Sequence, residues 1–472
     1  MQHDQFQDLL DALVKRSGVG QEVLGDVLAR VSLRAPEETS RLEIAAGNPT
    51  ARRPRDRGEL PQATVSKAVK ALIEEGLLED GEKLLRTPDG RPLIPLRLGS
   101  LYAVAGVKVV QARKGPGHVI TALVGLDSSR VLDTAHGAAS SWDQVADLIH
   151  QHVTSLKSAC DRDRVNRGLQ PLRMLGVGVE TRGPVYNGVV IPLSPGRPAG
   201  HPVPLAEKLY RLFEADPSFD RPVPVIIEND VNALAILAIH QIHYTDPDLV
   251  VVGVFDEGVG GGLVMDGRLR RGGNGRAMEI GHLTVGLPPG EDPGSQNPHE
   301  PGTGFQAPCW CGQRGHVDTL APPSRVVEEF GGGTLEQISE IDADDPEFQR
   351  AQDVFKRSGA ALGRALAHVS NTVNPSRVIM YLPAALAEPK PDTAAAAYLS
   401  AVREETTRAF AASDEPDYLR ILPLPADPQD FALLGAKAAA VCVLESFIEH
   451  ALRLDGCNPG SRRSTSSQAP AE

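Results

Sequence analysis

The stretch from Gly258 to Asp318 most strongly constrains what this 472-residue chain can fold into. Three features follow one another within it: a glycine-rich loop at 258–262, a Glu/His pair at Glu279 and His282, and a Cys/His cluster at Cys309, Cys311 and His316. Glycines let backbone N–H groups approach a ligand closely, as phosphate cradles require. The segment therefore predicts a possible phosphate cradle next to a cluster of soft metal ligands.

The cysteine and histidine spacing is typical of a metal site. Cys309 and Cys311 flank one residue, and His316 follows five residues after Cys311. Two thiolates and an imidazole suit Zn(II), and a structural zinc site needs four ligands. The alternative is two ordinary buried cysteines beside a surface histidine, but the chain has only five cysteines in all. The sequence therefore predicts zinc, with an upstream histidine, His282 or His299, as the fourth ligand.

The same segment resembles the ROK family (repressor, open reading frame, kinase), and within it the N-acetylglucosamine/xylose repressor branch. The family pattern is a glycine loop, then G-x-x-G-x-A-G-E-x-G-H, then C-x-C-G-x-x-G-C-x-E. In this chain Met278 replaces a glycine, His316 replaces the third cysteine and Asp318 replaces the glutamate. The resemblance covers roughly residues 104–444. It implies an actin-like ATPase (sugar kinase-like) fold with two lobes facing a cleft, and it implies His282 as the fourth zinc ligand.

Length and composition limit the broad class of protein. A chain of this length is expected to form several domains. The net charge is −13, yet residues 1–100 carry 15 basic and 16 acidic side chains, which permits a basic face there. The N-terminus lacks a signal peptide's basic start, and the sequence offers no apolar run of about 18 residues for a membrane span. We therefore expect a cytoplasmic protein that has no membrane segment.

The first hundred residues predict DNA binding. Helical spacing over 20–32, 40–46 and 62–78 is followed by a hairpin pattern around a Pro-Asp-Gly turn at 88–90. Helices followed by a hairpin make a winged helix-turn-helix. Residues 64–78 resemble the recognition helix of ROK repressors, and residues 90–92 resemble their wing. The alternative is an amphipathic packing helix with solvated lysines.

The candidate DNA contacts lie in three places: an arginine-rich loop at 47–58, the start of the third helix, and the wing. The loop either adds phosphate contacts, which raise affinity without sequence information, or is disordered. Small polar and basic side chains at the start of the helix suit the major groove. The residues are Arg52, Arg53, Arg55, Arg57, Gln62, Thr64, Ser66, Lys67, Lys70 and Arg91.

Beyond Leu101 the pattern alternates between strands and helices, which indicates an α/β body. Strands are predicted near 102–110, 119–125, 131–134, 174–179, 223–227, 249–255 and 378–381, and helices near 142–159, 205–215, 232–240, 348–371, 398–412 and 431–452. The expected division is a winged helix-turn-helix over 1–97, a first lobe over 98–245 with a returning helix at 430–453, a second lobe over 246–429, and a disordered tail over 454–472.

Asn229 and Asp230 directly follow a predicted strand. A carboxylate at the carboxyl end of a strand lies where α/β ligand clefts form, although Asp230 could also cap the next helix. The resemblance implies that this pair binds a sugar, and that in the family's kinases the aspartate is the catalytic base. It also assigns sugar contacts to Glu279, His282 and Asp318.

The three ATP-binding elements of the family's kinases are altered. Residues 108–112 read Lys-Val-Val-Gln-Ala in place of D-x-G-G-T, and Asp256 and Glu257 precede Gly258 where a threonine is expected. Residues 382–385 read Leu-Pro-Ala-Ala in place of the Gly-Gly at the adenosine. Carboxylates near a polyphosphate oppose its binding. The sequence thus favours a sugar-responsive repressor with operator DNA, a sugar or sugar-phosphate effector and a homo-oligomeric state. An ATP-dependent hexose or amino-sugar kinase is the alternative, and a zinc-stabilised interaction protein that binds no sugar is a third.

Overall fold

The computed structural model describes residues 6–33, 35, 39–46, 58–81, 85–86, 92–112, 115–127, 130–192, 201–241, 248–286, 307–409 and 418–452. Several predicted features lie outside the described residues: Arg52, Arg53, Arg55 and Arg57 of the arginine-rich loop, Arg91 of the wing, His299, and the tail from 454 onward.

Within the described residues, the N-terminal region contains four helices, a three-stranded antiparallel sheet and a two-stranded ribbon. The elements are α1 (Gln7–Ser17), α2 (Gln21–Ser32), β1 (Thr39–Ser40), α3 (Arg41–Ala46), α4 (Gln62–Glu75), β2 (Leu78–Asp80), β3 (Leu85–Arg86), β4 (Pro92–Leu93) and β5 (Pro95–Leu98). The sheet order is β1-β5-β2, and β3 pairs with β4. Helix α4 ends earlier than predicted because Gly76 adopts a left-handed conformation with φ 87°. Helix α1 was missed, although Leu9, Leu10 and Leu13 are buried at helical spacing.

The first half of the body is a five-stranded mixed sheet with the order β12-β9-β6-β7-β8, in which β6, β9 and β12 run parallel. Its elements are β6 (Tyr102–Ala112), β7 (Gly115–Gly125), β8 (Val131–Ala138), α5 (Trp142–Asn166), β9 (Arg173–Thr181), β10 (Val185–Tyr186), β11 (Val189–Val190), α6 (Leu205–Ala215), β12 (Val225–Asn229) and α7 (Asp230–Gln241).

The second half is another five-stranded mixed sheet, with the order β15-β14-β13-β16-β17. Its elements are β13 (Leu249–Phe255), β14 (Gly258–Met265), β15 (Arg268–Leu269), short 3-10 turns at Ile280–His282 and Val317–Thr319, α8 (Pro323–Phe330), α9 (Leu335–Ser339), α10 (Phe348–Val373), β16 (Arg377–Pro383), α11 (Ala384–Ala387), α12 (Ala396–Ala409) and β17 (Leu419–Leu424). The last helix, α13 (Pro428–Ala451), follows β17 in the chain but returns to the first half. Two helix-covered mixed sheets make the chain an α/β protein, in agreement with the predicted class.

Helix α13 packs on the first sheet. Its backbone comes so close that a Cβ at Gly106 would lie 1.8 Å from the Ala436 carbonyl oxygen, and one at Gly178 would lie 1.9 Å from that of Ala439. Among the described residues this one helix is long and apolar enough to cross a membrane, but 72% of its apolar window is buried inside the protein. Its apolar character is therefore accounted for by core packing.

The glycine-rich segment is a strand and not the predicted loop. Residues 258–265 form β14, which pairs antiparallel with β13. A Cβ at Gly260 would lie 2.5 Å from Val231 Cγ2, and one at Gly261 would lie 2.7 Å from the Met278 carbonyl oxygen. Glycine inside a strand often marks such a close approach. These glycines therefore let α7 and the segment before Glu279 pack directly against the strand.

Candidate functional site

Three of the predicted sugar-binding side chains, the carboxylates of Asp230, Glu279 and Asp318, lie near one another. Glu279 is exposed at one side, yet the protein atoms around its carboxyl group raise its pKa by desolvation; Arg276 opposes this effect, and the negative charges of Asp318 and Asp230 add to it. The three carboxyl groups are thus close enough to influence one another. A cluster of acceptors of this kind suits a ligand that carries several hydroxyl groups.

Asn229 and Asp230 join strand β12 to helix α7. The Asn229 side-chain oxygen accepts hydrogen bonds from the amides of Val231 (3.0 Å) and Asn232 (3.2 Å), and its Nδ2 donates to the Gly183 carbonyl (3.1 Å). Asp230 Oδ1 also accepts from the Val231 amide, at 2.9 Å. Capping of α7 is therefore shared, with Asn229 taking the larger part, whereas the sequence suggested Asp230 alone. Burial raises the pKa of Asp230, and the Lys108 ammonium opposes that shift.

Asp318 has a structural contact that the resemblance did not imply. Its Oδ1 accepts a hydrogen bond of 2.8 Å from the Val259 amide at the start of β14. A Cβ at Gly281 would lie only 2.3 Å from the same oxygen, so the glycine leaves room for the carboxylate. Burial raises the pKa of Asp318. This hydrogen bond therefore joins the Val317–Thr319 turn to β14, and the turn that carries His282 packs closely beside the same carboxylate.

The structure brings His282, Cys309, Cys311 and His316 together. Their ligand atoms all lie within 4.8 Å of one another. The Nδ1 atoms of the two histidines are 3.4 Å apart, Cys309 Sγ is 3.7 Å from His282 Nδ1, and Cys311 Sγ is 3.5 Å from His316 Nδ1. Tetrahedral zinc with Zn–N of about 2.0 Å and Zn–S of about 2.3 Å requires N–N separations of about 3.3 Å and N–S separations of about 3.5 Å. The four side chains are therefore positioned to hold a zinc-sized ion.

The surroundings of the cluster hold the ligands in place. Burial and the positive charge of Arg276 lower the pKa of His282, which favours the neutral imidazole that binds metals. The Trp310 ring packs edge-on against the His282 ring at 4.8 Å. Backbone hydrogen bonds from Val285 to Gly315 (2.9 Å) and from Val317 to Leu283 (3.1 Å) join the two ligand-bearing segments. A metal here would cross-link the Glu279 side of the cleft to the Asp318 side.

A buried ion pair lies where the family's first phosphate cradle is expected. Residues 108–112 continue strand β6, and the Lys108 ammonium pairs with Glu180 of β9. The Lys108 Nζ also lies 4.7 Å from the centre of the Phe431 ring. Lys108 and Glu180 are both buried. The sequence identified Lys108 only as the first residue of the altered phosphate-binding motif at 108–112. It did not indicate Glu180, because no local pattern links residues that are 72 positions apart.

The carboxylate before β14 is paired. Arg182, directly after β9, lies 3.2 Å from Glu257 (Nη1 to Oε2) and so connects the end of β9 in the first sheet to the start of β14 in the second. The predicted repulsion of polyphosphate by Glu257 is therefore partly offset by a neighbouring cation. At the third ATP element, β16 continues through Pro383 and α11 begins at Ala384.

The polar face of α4 is accessible. Gln62, Ser66, Lys67 and Lys70 are exposed, whereas Thr64 is half-buried. The opposite face, which includes Val65, Val69 and Leu72, is buried in the N-terminal region. Lys70 Nζ lies 3.8 Å from Glu74, and its side chain is 78% exposed. Four of the five predicted helix residues are thus exposed, and the charges of Lys67 and Lys70 are available to a partner.

Known proteins resemble this chain over most of its length. The ROK family model matches residues 114–436. A glucokinase of Halalkalibacterium halodurans is 29% identical over 175 residues, which are 34% of this chain and about half (48%) of the relative. The DNA-binding transcriptional repressor Mlc of Escherichia coli K12 is 24% identical over 340 residues, covering 69% of this chain and 75% of the relative. A solved ROK family transcriptional regulator, a homologue of E. coli Mlc, superposes with a TM-score of 0.59 at 19% identity over 91% of this chain and 99% of its own.

Proposed function

Because this chain belongs to the ROK family, we propose that it is a sugar-responsive, DNA-binding transcriptional repressor. The observation that carries the proposal is the presence, in one chain, of an accessible basic helix face and a cluster of carboxylates beside a buried ion pair, which stands at the sequence position of the family's first phosphate cradle. The protein acts in the cytoplasm as a homo-oligomer on paired operator half-sites.

The N-terminal region is assigned as a winged helix-turn-helix. Helices α2, α3 and α4 with the sheet β1-β5-β2 supply its core, and the β3–β4 ribbon supplies its wing. Helix α4 enters the major groove, and its lysines contact phosphates. Arg91 of the wing and the four arginines of the 47–58 loop add charge to the same region. A superposition over 91% of the chain supports a shared architecture that includes much of this region.

The cleft is assigned as the effector site. Asn229, Asp230, Glu279, His282 and Asp318 contact the sugar hydroxyls. Zinc is held by His282, Cys309, Cys311 and His316, and when bound it supplies a structural cross-link. The separations of the four side chains and the two-nitrogen, two-sulphur donor set support this choice of metal.

Phosphoryl transfer is not part of the proposed function. A kinase holds Mg²⁺ and the ATP phosphates on backbone N–H groups at uncluttered cradles. Here a lysine paired with Glu180 lies at the first cradle, and the glycines of β14 serve packing against α7. Asp230 therefore recognises a hydroxyl without acting as a base.

The sugar kinase alternative rests on one observation: Asp230 is retained beside the cleft, at the position of the family's base. A coupled ADP-release assay with glucose, N-acetylglucosamine, N-acetylmannosamine and xylose separates the two functions. ADP release that depends on both the sugar and Asp230 would establish the kinase and overturn the assignment of a degenerate ATP site.

The test of the repressor uses a DNA fragment selected from a random library by the wild-type protein. Sugars are screened by thermal shift, and DNA release is followed by fluorescence anisotropy. Asp230→Ala should keep DNA affinity and lose sugar-dependent release, because the sugar can shift the DNA-binding equilibrium only through differential contacts. Asp344→Ala, an exposed aspartate outside the cleft, is the control. A folded Asp230→Ala protein that releases DNA at the wild-type sugar concentration would exclude the cleft as the effector site.

A further inference from the structure

Glu75, the last residue of α4, is a buried carboxylate at the centre of a charge network whose arginines are partly exposed. Its side chain is 8% exposed. It accepts hydrogen bonds from the Tyr102 hydroxyl (2.8 Å) and from Arg173 Nη1 (2.7 Å), and Arg16 Nη1 lies 3.1 Å from its second oxygen. The Arg221 guanidinium is 3.7 Å away. One carboxylate therefore contacts three guanidinium groups and a phenol, none of which belongs to its own helix.

The partners are also tied to one another. Arg221 Nη2 donates a 3.0 Å hydrogen bond to the Tyr102 hydroxyl, and its guanidinium lies 5.6 Å from the Tyr102 ring. Arg173 reaches the Glu75 backbone carbonyl at 3.4 Å as well. A buried carboxylate with several charge-assisted partners is held in one geometry, because each contact that is lost leaves its buried charge less well compensated.

The backbone at the end of α4 is equally constrained. A Cβ at Gly76 would lie 2.6 Å from Leu101 Cδ2, and a Cβ at Gly99 would lie 2.1 Å from the Gly76 carbonyl oxygen. The helix end is therefore packed directly on the segment that leads into β6. Side-chain and backbone contacts fix the same end of the helix to the body.

Each body partner of Glu75 stands at or before the start of a strand that ends in the cleft. Tyr102 is the first residue of β6, Arg173 is the first residue of β9, and Arg221 precedes β12 by four residues. These strands run parallel, and their far ends carry the Lys108–Glu180 pair and the Asn229–Asp230 pair. At about 3.3 Å per residue, the nine residues of β9 span about 30 Å. The network thus joins α4 to the starts of these strands, at the opposite end of the sheet from the cleft.

We infer that Glu75 is the positioning residue through which sugar binding in the cleft changes the placement of α4 on DNA. The inference rests on the proposed function. A sugar that draws the two lobes together moves the first sheet as a unit, and α4 must follow because its end is bonded to the starts of three strands in that sheet. Without the Glu75 contacts, α4 keeps its DNA-binding face but is no longer forced to move with the lobe.

The test measures coupling between the two sites. Glu75→Gln preserves the size of the side chain and removes its charge; Glu74→Gln, at the exposed neighbouring position, is the matched control. DNA affinity is measured by anisotropy with and without the active sugar from the panel, and sugar affinity by calorimetry with and without the selected DNA. Each pair of measurements gives an affinity ratio: DNA affinity without sugar over that with sugar, and sugar affinity without DNA over that with DNA. Coupling is reciprocal, so the two ratios should agree, at about 5- to 150-fold for a typical allosteric protein. A merely structural role would lower stability without changing these ratios.

The inference predicts that wild type and Glu74→Gln keep the full ratio, while Glu75→Gln falls to less than a quarter of it and still binds sugar alone and DNA alone. A folded Glu75→Gln protein with the wild-type ratio overturns the inference and leaves the proposed function intact. If Glu75→Gln does not fold, Arg221→Gln replaces it, because Arg221 makes the longest ion pair of the network. An unchanged affinity ratio in Arg221→Gln would also overturn the inference. A wild-type protein that shows no coupling overturns the proposed function and this inference together.

Discussion

Replacing both Lys67 and Lys70 with alanine should weaken DNA binding in a salt-dependent way. Both lysines are exposed on α4, and the 3.8 Å contact between Lys70 and Glu74 is a surface pair of small energy. Nothing in their packing holds the ammonium groups away from a phosphate. Alanine is the best helix former, so the variant should fold as well as the wild type.

The size of the effect follows from counterion release. Each phosphate contact contributes about 0.9 to the slope of log affinity against log salt, so losing two contacts should flatten the slope by about 1.8. Raising salt fourfold, from about 50 to about 200 mM, weakens each contact about 3.5-fold on the same basis. The affinity penalty of the double variant should therefore be about 12-fold larger at the lower salt concentration than at the higher one.

The assay is an anisotropy titration of the selected DNA at four salt concentrations, with melting temperature recorded for each protein. The control is Lys390→Ala, since Lys390 is 70% exposed but lies on the second half of the body, paired with Glu340. A double variant whose slope matches that of the wild type and of the control would show that α4 does not approach the DNA backbone. The assignment of α4 as the recognition helix would then be wrong.

The remaining predictions concern the metal and the packing of the glycine strand. Protein purified without chelator should contain about one zinc per chain by metal analysis, and Cys311→Ser should lose it while Cys160→Ser keeps it; a metal-free wild type that folds and responds to sugar would contradict the zinc assignment. Gly260→Ala should lower stability by about 1–3 kcal/mol in denaturant unfolding, since its Cβ would lie 2.5 Å from Val231 Cγ2. Gly273→Ala meets no atom within 4 Å and should be neutral; equal stability of the two variants would refute the packing argument.

Local patterns were sufficient for much of the fold. The apolar stripe of α4 and the alternation of strands and helices after Leu101 arise from short-range periodicity, and the structure contains every helix and strand predicted there. The ligands Cys309, Cys311 and His316 could be proposed together because the last stands only seven positions after the first. The fourth, His282, came from the family resemblance, since it stands 27 positions upstream of Cys309.

Only the tertiary structure decided which charges meet. The Lys108–Glu180 pair spans 72 positions, and the contacts of Glu75 with Tyr102 and Arg173 span 27 and 98. No periodicity marks such partners, because their pairing depends on which strand ends the topology places side by side. The same holds for Gly260, whose sequence context is typical of a loop; pairing with Gly253 makes it part of a strand, and the approach of Val231 leaves no room for a side chain. Neighbouring residues in the sequence determine local conformation, whereas burial and long-range pairing arise only in the folded tertiary structure.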